Sequence, residues 1–558
     1  MVDITQTEPV KASLPKSDYP TIVLHWALLA TLIASFITGM QVAADEPNST
    51  WAQALRWMLP QGNVIVWHLI SALAFVAIVA GYTAFLWRAG ALRRISLNRR
   101  WWTMLTSARD HRIRWRAINT LVYWAGFLAL IIALITGFIM DIVPTQSSYA
   151  ISGLVHQYAA WFLPIYILLH VSVLVIMAGW AHLLKLFRPR VAYTSAALVA
   201  LGTGGLAATM LYALQNTVPG HSLHITKTAD TPTLDGIADD PIWEAANAVT
   251  VLTTRGENLP GGAVEVTLKA THDGTHFYGL LQWPDTTRSQ KHLPLIKTET
   301  GWQVQQTEYS IQDEDMYYED KFGVMLSDQG RIAGNHSIHM GNQPLDGKPG
   351  PSGGRGLHYT TDGSIVDVWH WKSVRTGNAI MGQLDDNYFG APMEPKEGKR
   401  YTGGYTKDPK DGGGYEMNWE KYADAGVVPK YLPSDPAQLA KFQNIDMSPD
   451  ATDTVAMFLM KSEVVPYDPA RDTYPVGTIM PAVIVDKAMQ GDRGDVLGVS
   501  HWQDGMWTIE IKRKLDTGSE FDIPFALDRS TYLWVAAFNH AQTRHSRHLH
   551  PVEITLEN

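Results

Sequence analysis

Four histidines stand inside apolar stretches of this chain: His25, His68, His156 and His170. His156 and His170 lie fourteen residues apart in the segment Leu154 to Leu184, which carries almost nothing else polar at its centre. In an α-helix fourteen residues advance about 21 Å through almost four turns, so both imidazoles point to nearly the same side at two depths. An imidazole within a membrane helix is costly unless it is paired or bound, which marks these two as ligand candidates. Two stacked ligands are what two haems, one near each membrane face, require.

The partners must come from other helices. His25 lies near the start of an apolar run, Ile22 to Val42, and His68 near the start of another, Val64 to Leu86. If these runs are antiparallel, His25 and His68 sit at opposite faces. The fourth run begins on the face where the second begins, so His156 matches the depth of His68 and His170 that of His25. The expectation is two bis-histidine b-type haems, His25 with His170 and His68 with His156. The plainer reading, in which each histidine merely hydrogen-bonds a neighbouring helix, has to explain four of them at matched depths.

The elements that position these residues follow from composition. Residues 1–216 carry 15 Lys and Arg against 7 Asp and Glu, whereas the remainder carries 30 against 47. A basic, apolar front half and an acidic, Gly- and Pro-rich back half read as a membrane domain joined to a soluble one. Arginines crowd residues 88–116, between the second run and a third, Ile118 to Ile139; by the positive-inside rule this loop is cytoplasmic. Trp51 and Trp57 suit an interfacial piece after the first run. Pro164 should bend the fourth run, and His182 beyond it reads as interfacial, a candidate for a quinone site. A fifth run, Val191 to Leu214, has Gly202, Gly204 and Gly205 for close helix packing. The first run is read as a retained membrane helix rather than a cleaved signal. Five crossings from a cytoplasmic N-terminus place everything after about Thr217 outside, in the periplasm of a bacterium. Neither charge balance suggests a nucleic-acid partner.

The chain has no cysteine, which excludes disulfides, thiolate metal sites, iron–sulfur clusters and covalently attached c-type haem. Any haem is held by axial ligands and packing alone.

The back half reads as β-rich. Val264–Ala270, His276–Trp283, Trp507–Lys512, Tyr532–Phe538 and Val552–Leu556 are short strand-like runs, with turns at Asp235-Gly236 and Asp273-Gly274. A β-sandwich is the natural fold class. The stretches 341–364 and 390–440 read as long irregular loops, covers over a bound group. Two histidine concentrations stand out. One is His336, His339 and Met340; the other is His540, His545, His548 and His550. Together they could hold the two sides of one iron, although zinc or copper would suit the same residues. His370 and Lys372 are either ligands or residues lining a haem edge.

The front half, over residues 18–188, resembles the bacterial di-haem cytochrome b561 group. The resemblance rests on Leu24-His25-Trp26, Trp67-His68 and the pair His156 and His170. It implies two haems b exchanging electrons between quinone and another carrier. The back half, over 222–558, resembles the haem-binding domain typified by the gamma subunits of ethylbenzene dehydrogenase and dimethyl sulfide dehydrogenase. Its marks are Leu234 to Trp243, Asp367 to Lys372, Gly382 to Tyr388, and the closing strands. Many relatives carry a Cys-x-x-Cys-His haem attachment; the matching place here is Ile332 to His336, with the histidine kept and both cysteines missing. Relatives with noncovalent haem use a methionine and a lysine. The resemblance therefore implies His336 or Met340 on one side of an iron, with His545 ahead of His548 on the other.

The sequence thus predicts a multi-domain protein. An all-α transmembrane bundle, four di-haem helices plus a fifth, precedes an all-β sandwich-like domain. The boundaries fall at 1–190 for the di-haem bundle, 191–216 for the fifth helix and linker, and 217–558 for the soluble domain. The expected role is membrane-bound electron transfer in a bacterial inner membrane, between quinone or quinol and a periplasmic redox protein, rather than a stand-alone enzyme. Two other readings stand beside it. One is superoxide oxidation at the outer face with Arg56 and the haem of His68 and His156; the other is a periplasmic binding or sensing module on a haem-containing anchor.

Overall fold

The computed structural model describes residues 16–44, 54–60, 64–94, 96–97, 99–106, 110–142, 145–190, 194–217, 220–305, 316–330, 338–341, 345–350, 356–419 and 427–558. Contacts divide the chain into two compact units, one of residues 1–39, 67–143 and 151–218, the other of 40–66, 144–150 and 219–558.

In the first unit five helices are long and apolar enough to cross a membrane. They are α1 (Tyr19–Ala44), α2 (Val64–Arg88), α3 (His111–Ile142), α4 (Gln146–Ala178) and α5 (Thr194–Thr217). Apolar side chains exposed along them, such as Val23, Ile70, Leu128, Leu168 and Leu201, face outward as lipid requires. The fourth helix ends earlier than its apolar run suggests. Gly179 adopts φ 73° and breaks it before the short turn Trp180–Leu183. Pro164 lies within α4. Of the three glycines on α5, Gly204 is the one in close packing: a Cβ there would lie 3.2 Å from the Ala77 carbonyl, and one at Gly81 would lie 2.8 Å from the Ala200 carbonyl. Gly202 and Gly205 face open space.

The start of α1 is tied to the segment beyond α4. Ser17–Asp18 pairs in parallel with Pro189–Arg190, Arg190 Nε donates to Asp18 at 2.6 Å, and the Trp26 ring meets Phe187 at a tilt, 5.2 Å between centroids. This puts the first turns of α1 and the last turns of α4 at one end of the bundle. The amphipathic helix Arg99–Thr106 precedes α3, its Trp101 donating to the Ala117 carbonyl at 2.9 Å.

The second unit is built on a twelve-stranded sheet. Its strands are β1 (His221–Lys227), β2 (Ala248–Thr254), β3 (Ala263–His272), β4 (His276–Pro284), β5 (Lys321–Ser327), β6 (Val366–Lys372), β7 (Asp385–Phe389), β8 (Tyr405–Lys407), β9 (Leu497–Gln503), β10 (Met506–Lys514), β11 (Thr531–Phe538) and β12 (Val552–Leu556). The order across the sheet is β8-β7-β6-β5-β11-β12-β1-β3-β4-β10-β9, with β2 pairing with β3. The parallel pair β12 and β1 joins the two halves. The sheet curls so that they face one another, and alternate residues of each strand fill one core. Trp283 stacks on Phe322 at 4.6 Å and Trp371 meets Trp507 edge-on at 4.8 Å across this core. The buried Trp, Phe, Ile and Val side chains on both inner faces supply the apolar area that replaces the missing disulfides.

The described residues of 390–440 are more ordered than their composition suggests. They contain β8 and the short strands Tyr415–Met417 and Tyr431–Pro433. These last contribute to a smaller lobe whose core includes Leu295, Trp302, Leu432, Phe442, Leu459 and Ile484. Glycines and prolines conceal these strands in sequence because each is only three residues long. Within 341–364 the described residues include the strand Leu357–Thr360.

Candidate haem-binding sites

The first site is a symmetric one. His68 on α2 and His156 on α4 bring their rings to 6.2 Å between centroids at an interplanar angle of 80°. Each ring is held from behind by a different helix. His68 Nδ1 lies 3.0 Å from the Ser35 carbonyl and 3.1 Å from Thr38 Oγ1 on α1. His156 Nδ1 lies 2.9 Å from the Ala133 carbonyl and 3.1 Å from Thr136 Oγ1 on α3.

A carbonyl can only accept, so each Nδ1 carries the proton and each Nε2 keeps its lone pair. The threonine hydroxyls donate down their own helices, Thr38 to Ala34 at 2.7 Å and Thr136 to Ile132 at 2.7 Å. Their oxygens are therefore acceptors toward the imidazoles. Glycine follows each threonine and makes the approach possible. A Cβ on Gly39 would stand 3.1 Å from His68 Cε1, and one on Gly137 would stand 3.4 Å from His156 Cε1. The repeated Ile-Thr-Gly at 37–39 and 135–137 is the sequence signal for this arrangement. Thr136-Gly137 carries no mark of chemistry in the sequence until the structure puts it behind a histidine.

Two imidazoles oriented by carbonyl and hydroxyl acceptors, with both Nε2 atoms unprotonated, are the donor set of a bis-histidine iron. An imidazole nitrogen binds a transition metal at about 2.0–2.1 Å. Two rings gripping one iron from opposite sides therefore have centroids roughly 6 Å apart, a spacing these residues fit.

The second pair, His25 on α1 and His170 on α4, belongs to the end of the bundle where α1 starts and α4 finishes. The two imidazoles are close enough to interact electrostatically. His170 packs between Tyr123 at 5.0 Å and Tyr166 at 5.9 Å, and its Nδ1 is buried without a hydrogen-bond partner. Among the described residues this pair lacks the carbonyl-and-threonine cradle of the first. His182 lies outside both pairs, its Nε2 2.8 Å from Lys185 Nζ.

In the soluble unit the structure separates the candidates. His548 is engaged at both nitrogens, Nδ1 with the His550 carbonyl at 2.7 Å and Nε2 accepting the Val535 N–H at 2.9 Å. It pins the last segment to β11 and has no lone pair for iron, which removes it as a ligand. Lys372 is likewise committed: its ammonium is paired with Asp385 and Tyr415, and Asp385 is gripped on its other side by Arg493 at 2.5 Å. Burial holds Lys372 down to about 8.

His545 remains suited to ligation. Its Nδ1 donates to the Ser546 carbonyl at 2.9 Å, leaving Nε2 for a metal. Burial holds its pKa down to about 4, with Arg547 and Lys321 adding to the effect, so it is neutral at pH 7 as a ligand must be. Phe538 touches both His545 at 4.8 Å and His370 at 5.4 Å, and His370 Nε2 is buried without a partner. Gly323 and Ala536 are neighbours in the ladder beside His370. His336 lies outside the described residues. Met340 falls on the strand Ile338–Gly341, but its side chain, like that of Arg56, is outside them too.

The comparisons agree with this division. Residues 240–549, more than half of the chain, match the family model described as ethylbenzene dehydrogenase. The chain belongs to the ethylbenzene dehydrogenase family. Residues 16–188 match the model of prokaryotic cytochrome b561, so the family domain is fused to a cytochrome b561 membrane domain. No curated protein matches. Among solved structures, the chain is similar to a family 9 carbohydrate-binding module from Caldicellulosiruptor kristjanssonii. With cellotriose bound, the module is 8% identical, with 61% of this chain and 94% of that one covered and a TM-score of 0.23. With glucose bound, the values are 9%, 60%, 96% and 0.22. Likenesses this remote say nothing about ligands.

The ethylbenzene dehydrogenase family member described here is thus a membrane protein with haem b in its helical domain, and its role is electron transfer. Haem supplies a one-electron iron couple when bound. The chain's own residues set the ring tautomers and leave the Nε2 lone pairs to hold the iron.

Proposed function

We propose that this chain carries electrons between the quinone pool and a periplasmic redox protein, through two membrane haems and a third, noncovalent haem in the soluble domain. His68 and His156 hold one membrane haem, and His25 and His170 hold the other. The cytoplasmic loop is the arginine-rich one, and the soluble domain lies in the periplasm of a bacterial inner membrane. His545 is the ligand from the C-terminal segment for the third haem, with His336 or Met340 opposite and His370 and Phe538 along its edge. What carries the reading is the facing pair of imidazoles, His68 and His156, each with Nδ1 tied to a helix carbonyl.

The test is haem stoichiometry by pyridine haemochrome on the full chain in detergent. The expected result is three haems b per chain. His68→Ala and His156→Ala should each lose the same haem, His25→Ala and His170→Ala the other membrane haem, and His545→Ala the third. Two haems per chain, unchanged in His545→Ala, would refute the third site. Quinol-driven reduction of the membrane haems tests the quinone link, and its absence in haem-replete protein would refute that part.

A further inference from the structure

One side-chain cluster in the soluble unit belongs to none of these sites. Asp367 on β6, Asp386 on β7 and Asp522 after β10 place carboxylate oxygens within 4.8 Å of one another. Register explains part of this. Asp367 faces Tyr388 and Trp369 faces Asp386, so the two acids are diagonal neighbours on one face of the sheet. All three are buried, with Asp367 and Asp386 at 0% exposure.

Asp408, just beyond β8, lies beside them, its backbone N–H donating to the Asp386 carbonyl at 3.2 Å. It is 3% exposed, neither of its oxygens has a hydrogen-bond partner, and its electrostatic neighbours are Asp522, Asp367, Asp492 and Asp495. Asp495 comes within hydrogen-bond range of Asp386. Beyond the two Asp408 oxygens, Asp367 Oδ1, Asp386 Oδ2, Asp495 Oδ1 and Asp522 Oδ1 are also buried without partners.

Arg513 sets one positive charge against these acids, 2.9 Å from Asp522 and 3.2 Å from Asp367. Its guanidinium is partly occupied elsewhere, donating to the Ile523 carbonyl at 3.0 Å and lying over Trp369 at 5.1 Å. Five carboxylates and one guanidinium leave a large uncompensated negative charge in a medium where isolated charges are expensive. Protons or a cation must supply the difference.

We propose that Asp367, Asp386, Asp408, Asp495 and Asp522 form a binding site for one divalent cation of the calcium class. The donor set decides the class. It is all oxygen, with neither imidazole nor thiolate, which disfavours zinc and copper. Asp367, Asp386 and Asp522, whose oxygens lie within 4.8 Å of one another, each leave one carboxylate oxygen buried without a partner and Asp408 leaves both, an oxygen-rich set of the kind calcium takes, whereas magnesium keeps several waters. The acids come from five separate segments: β6, β7, the end of β8, the turn before β9 and the loop after β10. A bound ion would fasten these edges of the sandwich together, as a disulfide does in chains that have cysteine.

The test uses the full-length protein in detergent, stripped with EDTA and dialysed into metal-free buffer at pH 7.5. Equilibrium dialysis with calcium should give one tightly held ion per chain, and calcium should raise the thermal midpoint of the soluble domain. Terbium should bind the same site and luminesce when Trp369 and its tryptophan neighbours are excited, with calcium quenching the signal. Asp386→Asn and Asp408→Asn should weaken calcium at least tenfold, and the exposed control Asp504→Asn should not. The wild-type dialysis decides by itself if those variants fail to fold. No bound calcium at millimolar concentration with an unmoved midpoint would overturn the site in favour of protonated acids. Retention of full affinity by folded Asp386→Asn and Asp408→Asn would overturn it in favour of a surface ion.

Discussion

Replacing Thr136 by valine tests the cradle behind His156 with little disturbance to the fold. The two side chains have the same shape and similar helix propensity. The hydroxyl is one of two acceptors on Nδ1–H; the Ala133 carbonyl at 2.9 Å remains and keeps the ring aimed. The variant removes the hydroxyl's donation to its own helix at Ile132 and one hydrogen bond to the imidazole, the latter worth about 0.5–1.5 kcal/mol net. That bond makes the imidazole more basic and so favours the oxidised, more positive iron. Its loss should raise the midpoint potential of one membrane haem. At 59 mV per tenfold for a one-electron couple, the expected rise is about 20–65 mV. Thr38→Val removes the matching bond to His68 at 3.1 Å and should shift the same haem by a similar amount. The double variant should approach the sum, because the two hydroxyls act on different rings. Potentiometric titration of the α-band in detergent resolves this, with the haem of His25 and His170 as internal control. A fall in potential, an unmoved haem, or equal shifts in both membrane haems would refute the assignment of these threonines.

Gly39→Ala should impair haem loading at His68 more than Gly137→Ala does at His156, since the added carbon would lie at 3.1 Å in one case and 3.4 Å in the other; haem per chain measures it, and the reverse order would contradict the packing. Asp385→Ala strands Lys372 and Arg493 inside the protein and should destabilise the soluble unit by about 3–5 kcal/mol in denaturant titrations; a loss below about 1 kcal/mol would show that the cluster does not depend on it. Acid should weaken the same unit. Burial and the nearby Arg375 hold His292 down to about 4, and burial holds His548 down to about 4. Between about pH 6.5 and 4 the unfolded chain takes up these protons and the native one does not. Stability should therefore fall as pH falls through that window, by roughly 1.4 kcal/mol per pH unit for each histidine. His292→Gln should flatten the profile measured by tryptophan fluorescence, and an unchanged slope would mean that His292 is protonated in the native state.

Much of the membrane unit was legible because helices repeat. Two imidazoles fourteen residues apart in one apolar run, and two more near the starts of other runs, carry depth and facing in the sequence itself. The strands Val264–Ala270, His276–Trp283 and Trp507–Lys512 were legible for the same reason, their alternation being local. The three-residue strands of 405–433 were not, because they are held by distant partners rather than by their own pattern. The resemblance placed His545 ahead of His548, but nothing in the residues themselves gave the physical reason. That choice turns on whether a backbone N–H, Val535 in β11, already occupies the nitrogen.

The sequence by itself determined that this chain crosses a membrane, that it has no cysteine for a c-type haem linkage, and which residue types could grip iron. Those properties depend on composition and on short-range periodicity. Only the tertiary structure decided which proton each imidazole carries, which glycine admits it, and that Asp367, Asp386 and Asp522 meet. Hydrogen bonds and charge clusters are fixed by separations of a few ångströms between residues that lie tens to hundreds of positions apart, and no local pattern encodes them.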